Sequence, residues 1–404
     1  MNAVGLVLGL FAAGALAVQL VSCLLAGRRC RPRNGPAPAT ALAPMTLVRP
    51  VCGIDHDAVR TLGSSFHLAH PDYEVVFCAA DADDPVRGLV ADLARQHPGV
   101  PCRILVGRDR HPHNPKLDNC AKGWEAARHD WVVMADSNIV LPPDYAARIA
   151  AAEGEGVGMV SAPPVGSHAD GFWAIVECAV LNTYQARIQY AVDALGMGFA
   201  QGKTLSLRRS VLARAGGYAA LGREPAEDAA ATKAIRGLGL RVRLAAPPCE
   251  QPLGTRRWRD VWSRQVRWAR LRRATFPLLF APEILSGGLL PFLAMLGAAH
   301  VADAPVAAVA VPWLCIWYGA EAALARVAGW PLHIATLPAW IVRDLAIPAV
   351  WVAGLSGRSF SWRGTSVSID GAAKRAASMT IATQFAVDCD SRAGEASRLG
   401  EGVW

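Results

Sequence analysis

Runs of apolar positions divide the chain into an apolar opening, a middle of short alternating elements, and an apolar close. Residues 4–26, VGLVLGLFAAGALAVQLVSCLLA, carry no charge. At about 1.5 Å of rise per residue, such a helix crosses a hydrocarbon core of roughly 30 Å. The run is long for a signal-peptide core and no clear A-x-A site follows, so a retained anchor is expected rather than a cleaved signal. Apolar sequence returns in residues 276–299 and 304–325, two expected spans joined by the short loop HVADA, which has no Lys or Arg. A third run, 330–356, is interrupted by Pro338, Arg343, Asp344 and Pro348. A charge pair at mid-depth is costly, so an interfacial or re-entrant segment is favoured there over a further span.

The middle carries largely apolar runs of strand length: Met45–Val51, Tyr73–Ala79, Arg103–Val106, Trp131–Ala135 and Gly158–Ser161. Helical patterns lie between several of them, including Ala58–Leu68 and Pro85–Gln96. Strands alternating with helices predict an open, parallel α/β sheet. Ligands of such sheets bind beyond the carboxyl ends of the strands. Asp81 and Asp136 both fall just there. Residues 172–195 repeat apolar positions at helical spacing up to Gly196 and Gly198. Arg256–Arg273 also reads as a helix, with eight arginines, and suits a membrane interface. Thr365–Trp404 is polar, rich in small residues and aperiodic, as a disordered tail is.

The expected organisation is therefore an N-terminal anchor (1–27), a basic, Pro-rich linker (28–44), a catalytic domain (45–255), an amphipathic interfacial helix (256–275), a C-terminal membrane region (276–363) and a tail (364–404). Composition agrees: 52% of the 404 residues are hydrophobic and 18% charged, a skew that points to apolar spans. The net charge of +8 is concentrated in Arg28, Arg29, Arg31 and Arg33 and in Arg256–Arg273. Basic clusters beside apolar spans suit an anionic membrane surface or a pyrophosphate rather than a nucleic-acid groove. The first cluster places the C-terminal side of the anchor in the cytosol and the N-terminus outside. Ten cysteines without a C-x-x-C pair make neither a zinc pattern nor a disulfide framework, so a reducing compartment is expected.

Asp136, in A-D-S-N-I, supplies a carboxylate at a strand end, with oxygens of Ser137 and Asn138 beside it. Such a group holds a hard divalent cation or starts a turn. Asp228 follows Glu227 at the head of an alanine-rich helix, as a cap or as a general base. Arg264, Arg267 and Trp268 lie within about one helical turn and suit a diphosphate with an apolar wall, or a solvated cationic face. His111 and His113 sit two apart in a Pro-rich loop, and no third histidine accompanies them, so they are not read as metal ligands; Lys116 beside them suits a phosphate. There is no G-x-x-x-x-G-K-[ST] loop and no G-x-S-x-G elbow.

Taken in order, R-P-V-C-G-I-D, F-C-A-A-D-A-D-D-P, H-N-P-K-L-D-N, A-D-S-N-I, A-E-D-A-A-A-T-K-A-I and S-R-Q-V-R-W-A-R-L-R-R resemble membrane-bound family 2-type glycosyltransferases. The nearest resemblance is to the bacterial branch of the ceramide glucosyltransferases, over about residues 49–280 and on into the C-terminal spans. It implies an α/β GT-A (Rossmann-like) fold, a UDP-hexose donor, inversion at the anomeric carbon, a divalent cation (Mg²⁺ or Mn²⁺) and a membrane setting, the bacterial inner membrane. By the same resemblance Asp81 holds the nucleoside, Lys116 and Asn119 lie near the donor, Asp136 holds the metal and Asp228 is the base on the ceramide primary hydroxyl. Arg264, Arg267 and Trp268 match its R/Q-x-x-R-W element. There are two departures: Asn138 stands where a second carboxylate is expected, and Gln185 takes the place of a histidine that contacts the acceptor. Glucose is the expected hexose. Hopanoid, diacylglycerol and polyprenyl phosphate remain alternative acceptors, and a lipid-docking scaffold is the non-enzymatic alternative. A polymer synthase would need more spans than are visible.

Overall fold

The structure, a computed structural model, describes residues 2–32, 42–107, 114–357, 359–362 and 365–368. His111, His113, Arg33 and most of the expected tail lie outside the described residues. Thr365–Ser368, placed in the tail by its polarity, instead pairs antiparallel with Ser359–Trp362.

The sheet-bearing half is built on β1 (Met45–Val51), β2 (Tyr73–Ala79), β3 (Cys102–Val106), β4 (Trp131–Ala135), β5 (Val157–Ser161), β6 (Pro164–Asp170), β7 (Thr204–Arg208), β8 (Arg241–Leu244) and β9 (Cys249–Thr255). Seven of these form one sheet in the order β3-β2-β1-β4-β7-β5-β8. Every residue of β2 and β4 is buried, which is why they read as largely apolar runs; the one charge, Glu74 in β2, is paired with Arg103 and accepts from Thr46. Alternation still sorts their side chains. Leu47, Phe77, Trp131 and Val133 face a core shared with helix Val86–Gln96, whereas Val48, Val76, Val132 and Met134 face helix Pro115–Ala126.

The expected parallel sheet is corrected to a mixed one: β7 runs antiparallel to both β4 and β5. The cause is its point of entry. The chain reaches β7 at the carboxyl end of β4, where Asp136 N–H donates to Lys203 C=O at 3.0 Å and Ala135 pairs with Thr204. From there the strand can only run back along β4. Strands β6 and β9 form a separate parallel pair. From β9 the chain passes into the arginine-rich helix Trp258–Thr275.

The helix over 172–195 forms, but not as one regular helix. Phe172–Ala179 and Arg187–Ala194 are α-helical, and Val180–Ala186 between them is a π segment. Gly196, with φ of 81°, ends it.

In the apolar half two segments differ in form from the simplest expectation. Residues 276–299 do not make one straight helix: Pro277–Leu285 and Leu289–Val301 meet at a bend of 47°. Thr336–Leu355, expected to be interfacial or re-entrant, is one helix long and apolar enough to cross a membrane, as are Ala3–Cys30 and Val306–Ala328. Its charges are compensated by a residue no local pattern could reveal. Arg343 donates from both Nη atoms to Glu321 at 2.8 Å and from Nε to Asp344 at 2.9 Å. The N-terminal helix packs on Leu289–Val301 and Val306–Ala328. It is also tied to the sheet-bearing half, because Arg29 pairs with buried Asp193 at 2.7 Å. One arginine of the basic cluster is thus a docking contact and not only surface charge.

Candidate active site

The carboxyl ends of β1 and β4, the turn before β7, the head of helix Glu227–Gly237 and the arginine-rich helix enclose one cavity of about 1840 Å³. Asp136, Lys116, Asn119, Asp228, Gln185, Arg264, Arg267 and Trp268 all line it. Asp81 does not: it is exposed just past β2, where its neighbour Ala80 contributes to the wall.

Asp136 owes its position to Arg49 in the first motif. The buried guanidinium donates to Asp136 C=O at 2.7 Å, Ile139 C=O at 3.0 Å, Thr61 C=O at 3.0 Å and Ser65 Oγ at 2.9 Å. It therefore pins both ends of the D-S-N-I turn. Burial pulls the Arg49 pKa down to about 10, still far above neutral, so the guanidinium stays charged while its donors hold the turn.

Two ammonium groups meet the Asp136 carboxylate. Lys116 Nζ lies 2.8 Å from Oδ1, and Lys203 Nζ lies 2.9 Å from Oδ2. Burial opposes the charge on Asp136, but Lys116 and Lys203 overcome it and hold the carboxyl well below its ordinary range. Lys116 is placed by Asn114, which caps helix Pro115–Ala126 by accepting from Lys116 N–H and Leu117 N–H at 3.1 Å each. The same ammonium reaches Glu227 Oε1 at 2.8 Å, and Asn114 Nδ2 donates to the other Glu227 oxygen at 2.9 Å.

Glu227 and Asp228 are adjacent, yet their surroundings drive them apart. Burial pushes Glu227 up, but Lys116 and Asn114 more than reverse it and keep Glu227 ionised. Asp228 is raised to about 6 by burial and by the neighbouring Glu227 charge. Asp228 is not the cap of its helix; Ala226 occupies that position. Its Oδ2 accepts from Gly202 N–H at 2.9 Å and its Oδ1 from Ala229 N–H at 2.8 Å. Gly202 has no room for a side chain, since a Cβ there would meet Glu227 Oε1 at 2.8 Å. Its carbonyl also accepts from Lys116. A carboxyl group near pH 6 beside a permanently ionised partner is the electrostatic pattern of a general base.

Asn119 has both ends of its amide engaged within the protein: it donates to Cys78 C=O at 2.7 Å and accepts from Lys122 at 2.6 Å. It shapes the wall. Arg264 is ion-paired with buried Glu177. Arg267 lines the cavity and has no ion pair among the described residues. Burial and Arg264 lower its pKa, so an arriving anion is favoured there. Trp268 packs on Cys178, Leu181 and Leu253. Gln185 lies in the π segment next to Tyr184, whose hydroxyl meets Ser286 Oγ at 2.5 Å. A π segment re-aims side chains within a helix. Here it sets Tyr184 and Gln185 on the cavity wall.

Sequence reading did not single out Lys203, Glu227, Arg49 or Glu177 for this site. Glu227 had the signal of adjacency to Asp228. Lys203 had none, because only the antiparallel return of β7 brings it to Asp136.

Among the described residues, no group of three or more His, Cys, Asp or Glu gathers as a metal site. The donor set nevertheless fits the expected hard cation. Asp136 Oδ2 and Asn138 Oδ1 converge on one point, each 2.9 Å from Lys203 Nζ. An oxygen pair of this kind holds a divalent ion when phosphate oxygens complete the shell.

A family profile described as Glycosyl transferase family 21 matches residues 7–374. Ceramide glucosyltransferase 1 of Caenorhabditis elegans is 27% identical over 250 residues, 61% of this chain and 54% of that protein. The match thus spans about half the length of that relative. Ceramide glucosyltransferase 3 of the same organism is 22% identical over 337 residues, covering 80% of this chain and 72% of its own length. Among solved structures, a mannosyltransferase from Pyrobaculum calidifontis in complex with GDP-Man and Mn²⁺ aligns at 20% identity. That alignment covers 86% of this chain and 97% of the other, with a TM-score of 0.47.

Proposed function

The chain belongs to glycosyl transferase family 21, and from that premise we propose that it moves a hexose, glucose, from UDP-hexose to the primary hydroxyl of ceramide with inversion. One observation carries the reading. A single cavity joins the Asp136–Lys116–Lys203 charge cluster to the split acid pair, then runs on to the apolar Phe276, Leu279 and Phe280. Such a cavity suits a charged donor at one end and a lipid at the other.

Asp228 takes the proton from the acceptor hydroxyl as that oxygen bonds to C1 of the sugar. The bond from C1 to the diphosphate oxygen breaks in the same displacement, which inverts the centre. Arg267, Lys116 and Lys203 bring positive charge to the leaving diphosphate, which gathers negative charge as it departs. A divalent cation held by Asp136 and Asn138 would add to that charge. Trp268 forms an apolar wall beside the reacting groups, and Gln185 and Tyr184 face the acceptor. Asp81 and Asn119 serve the nucleoside end, Asn119 through the wall it braces.

The arginines after the N-terminal helix favour a catalytic half on the cytosolic face, in a bacterium the inner membrane. The test is incubation of membranes containing the protein with ceramide, diacylglycerol and a panel of UDP-sugars. Products are read by mass and by sugar stereochemistry. Glycosylceramide is expected from one donor, and Asp228→Asn is expected to cut its formation by about 10²–10⁴-fold with folding kept. Absence of glycosylceramide from every donor sinks the reading.

A further inference from the structure

Lys203 does more than neutralise Asp136. Its ammonium lies 2.9 Å from Asp136 Oδ2 and 2.9 Å from Asn138 Oδ1, so it bridges the two oxygens expected to hold a divalent ion. Its backbone is anchored beside the pair, since Lys203 C=O accepts from Asp136 N–H at 3.0 Å. The bridge also fits the composition of the turn. A second carboxylate at position 138 would leave the pair with two negative charges. Asn138 leaves one, and with Lys116 shared between Asp136 and Glu227 the Lys203 ammonium completes the balance.

We propose that the Lys203 ammonium is the resident cation of the Asp136–Asn138 oxygen pair, that a divalent ion takes this pair only by displacing it, and that the displaced ammonium then pairs with the donor diphosphate. The inference rests on Asp136 being the cation-binding carboxylate of the proposed transferase. Charge decides the order of events. A divalent ion entering alone meets Lys203 and, on the other Asp136 oxygen, Lys116 at 2.8 Å. Like charges at such distances repel strongly in a partly buried site. A diphosphate supplies the negative charge that both the ion and the released lysine require, so ion and donor bind together. Lys203 thereby acts as a positioning residue that couples metal uptake to donor arrival.

The experiment is a titration of the full-length, detergent-solubilised protein with Mn²⁺, with the free ion read by electron paramagnetic resonance, with and without UDP. Wild type should bind Mn²⁺ weakly alone and about tenfold or more tightly with UDP. Lys203→Met should bind Mn²⁺ alone about tenfold more tightly than wild type, with a smaller gain from UDP. Lys203→Arg, which keeps the charge, should remain as weak as wild type. If the methionine variant does not fold by thermal melting, Lys203→Gln gives the same reading while keeping a donor for Asn138. Mn²⁺ binding to folded neutral variants no tighter than to wild type overturns the role of Lys203 alone. No Mn²⁺ binding by any of the proteins, even with UDP, overturns both this inference and the metal part of the proposed function.

Discussion

Lys116 stands 2.8 Å from both Asp136 and Glu227, and this sharing gives two neighbouring acids opposite characters. Glu227 is held ionised, and its charge helps lift Asp228 to about 6. A base is competent only when deprotonated, so below its pKa the fraction of active enzyme falls about tenfold per pH unit. The rate of transfer should therefore rise with pH through about 6 and then level, with Asp136 ionised throughout. A pH–rate profile of kcat/KM checks this, and a value independent of pH between about 4.5 and 7.5 would count against Asp228 as base. Lys116→Met should move the limb, because it frees Glu227 to share the proton. Asp136 and Asp228 were legible in the sequence because strand-end and helix-head acids stand out locally. Asp81 was legible as a strand-end acid too, but the strand end does not say which side chain enters the cavity. Lys203 was illegible because A-Q-G-K-T-L-S-L carries no sign of the direction in which its strand runs.

Among elements, the five strands read from largely apolar runs appear within a residue of their expected bounds, most clearly β2 and β4, which are buried on both faces. β6 and β9 were missed because proline, glycine and histidine interrupt them, and β7 and β8 because they are short and alternate apolar with polar residues. The helix Thr336–Leu355 could not be weighed from its own sequence for a different reason: the cost of Arg343 depends on Glu321, which lies on another helix. Arg343 also donates to Thr183 Oγ1 at 2.8 Å, so it ties this helix to the π segment that carries Tyr184 and Gln185. Removing one member of a buried ion pair strands the other. Arg343→Met should cost about 3–5 kcal/mol of stability, read as a lower melting temperature in detergent. The double variant with Glu321→Gln should recover part of that loss. If the single variant melts with wild type, the network does not hold these helices together.

At the scale of the whole molecule, the cavity runs from the sheet to the bend between Pro277–Leu285 and Leu289–Val301. Leu279 lines it and is 68% exposed, at a position suited to a lipid chain entering from the side. Leu279→Asp should raise the KM for the lipid acceptor by about tenfold or more and leave the KM for the UDP-sugar unchanged. Equal effects on both would remove Leu279 from the lipid path. The N-terminal helix closes the other side of this half. Its buried Gln19 donates to Glu321 Oε1 at 2.9 Å, a partner 302 positions further along the chain. That separation becomes an interval during synthesis. At about 5–20 residues per second, a ribosome needs roughly 15–60 s to make Glu321 after Gln19. The amide of Gln19 therefore needs water or a transient companion during that interval, because its partner is made long after it.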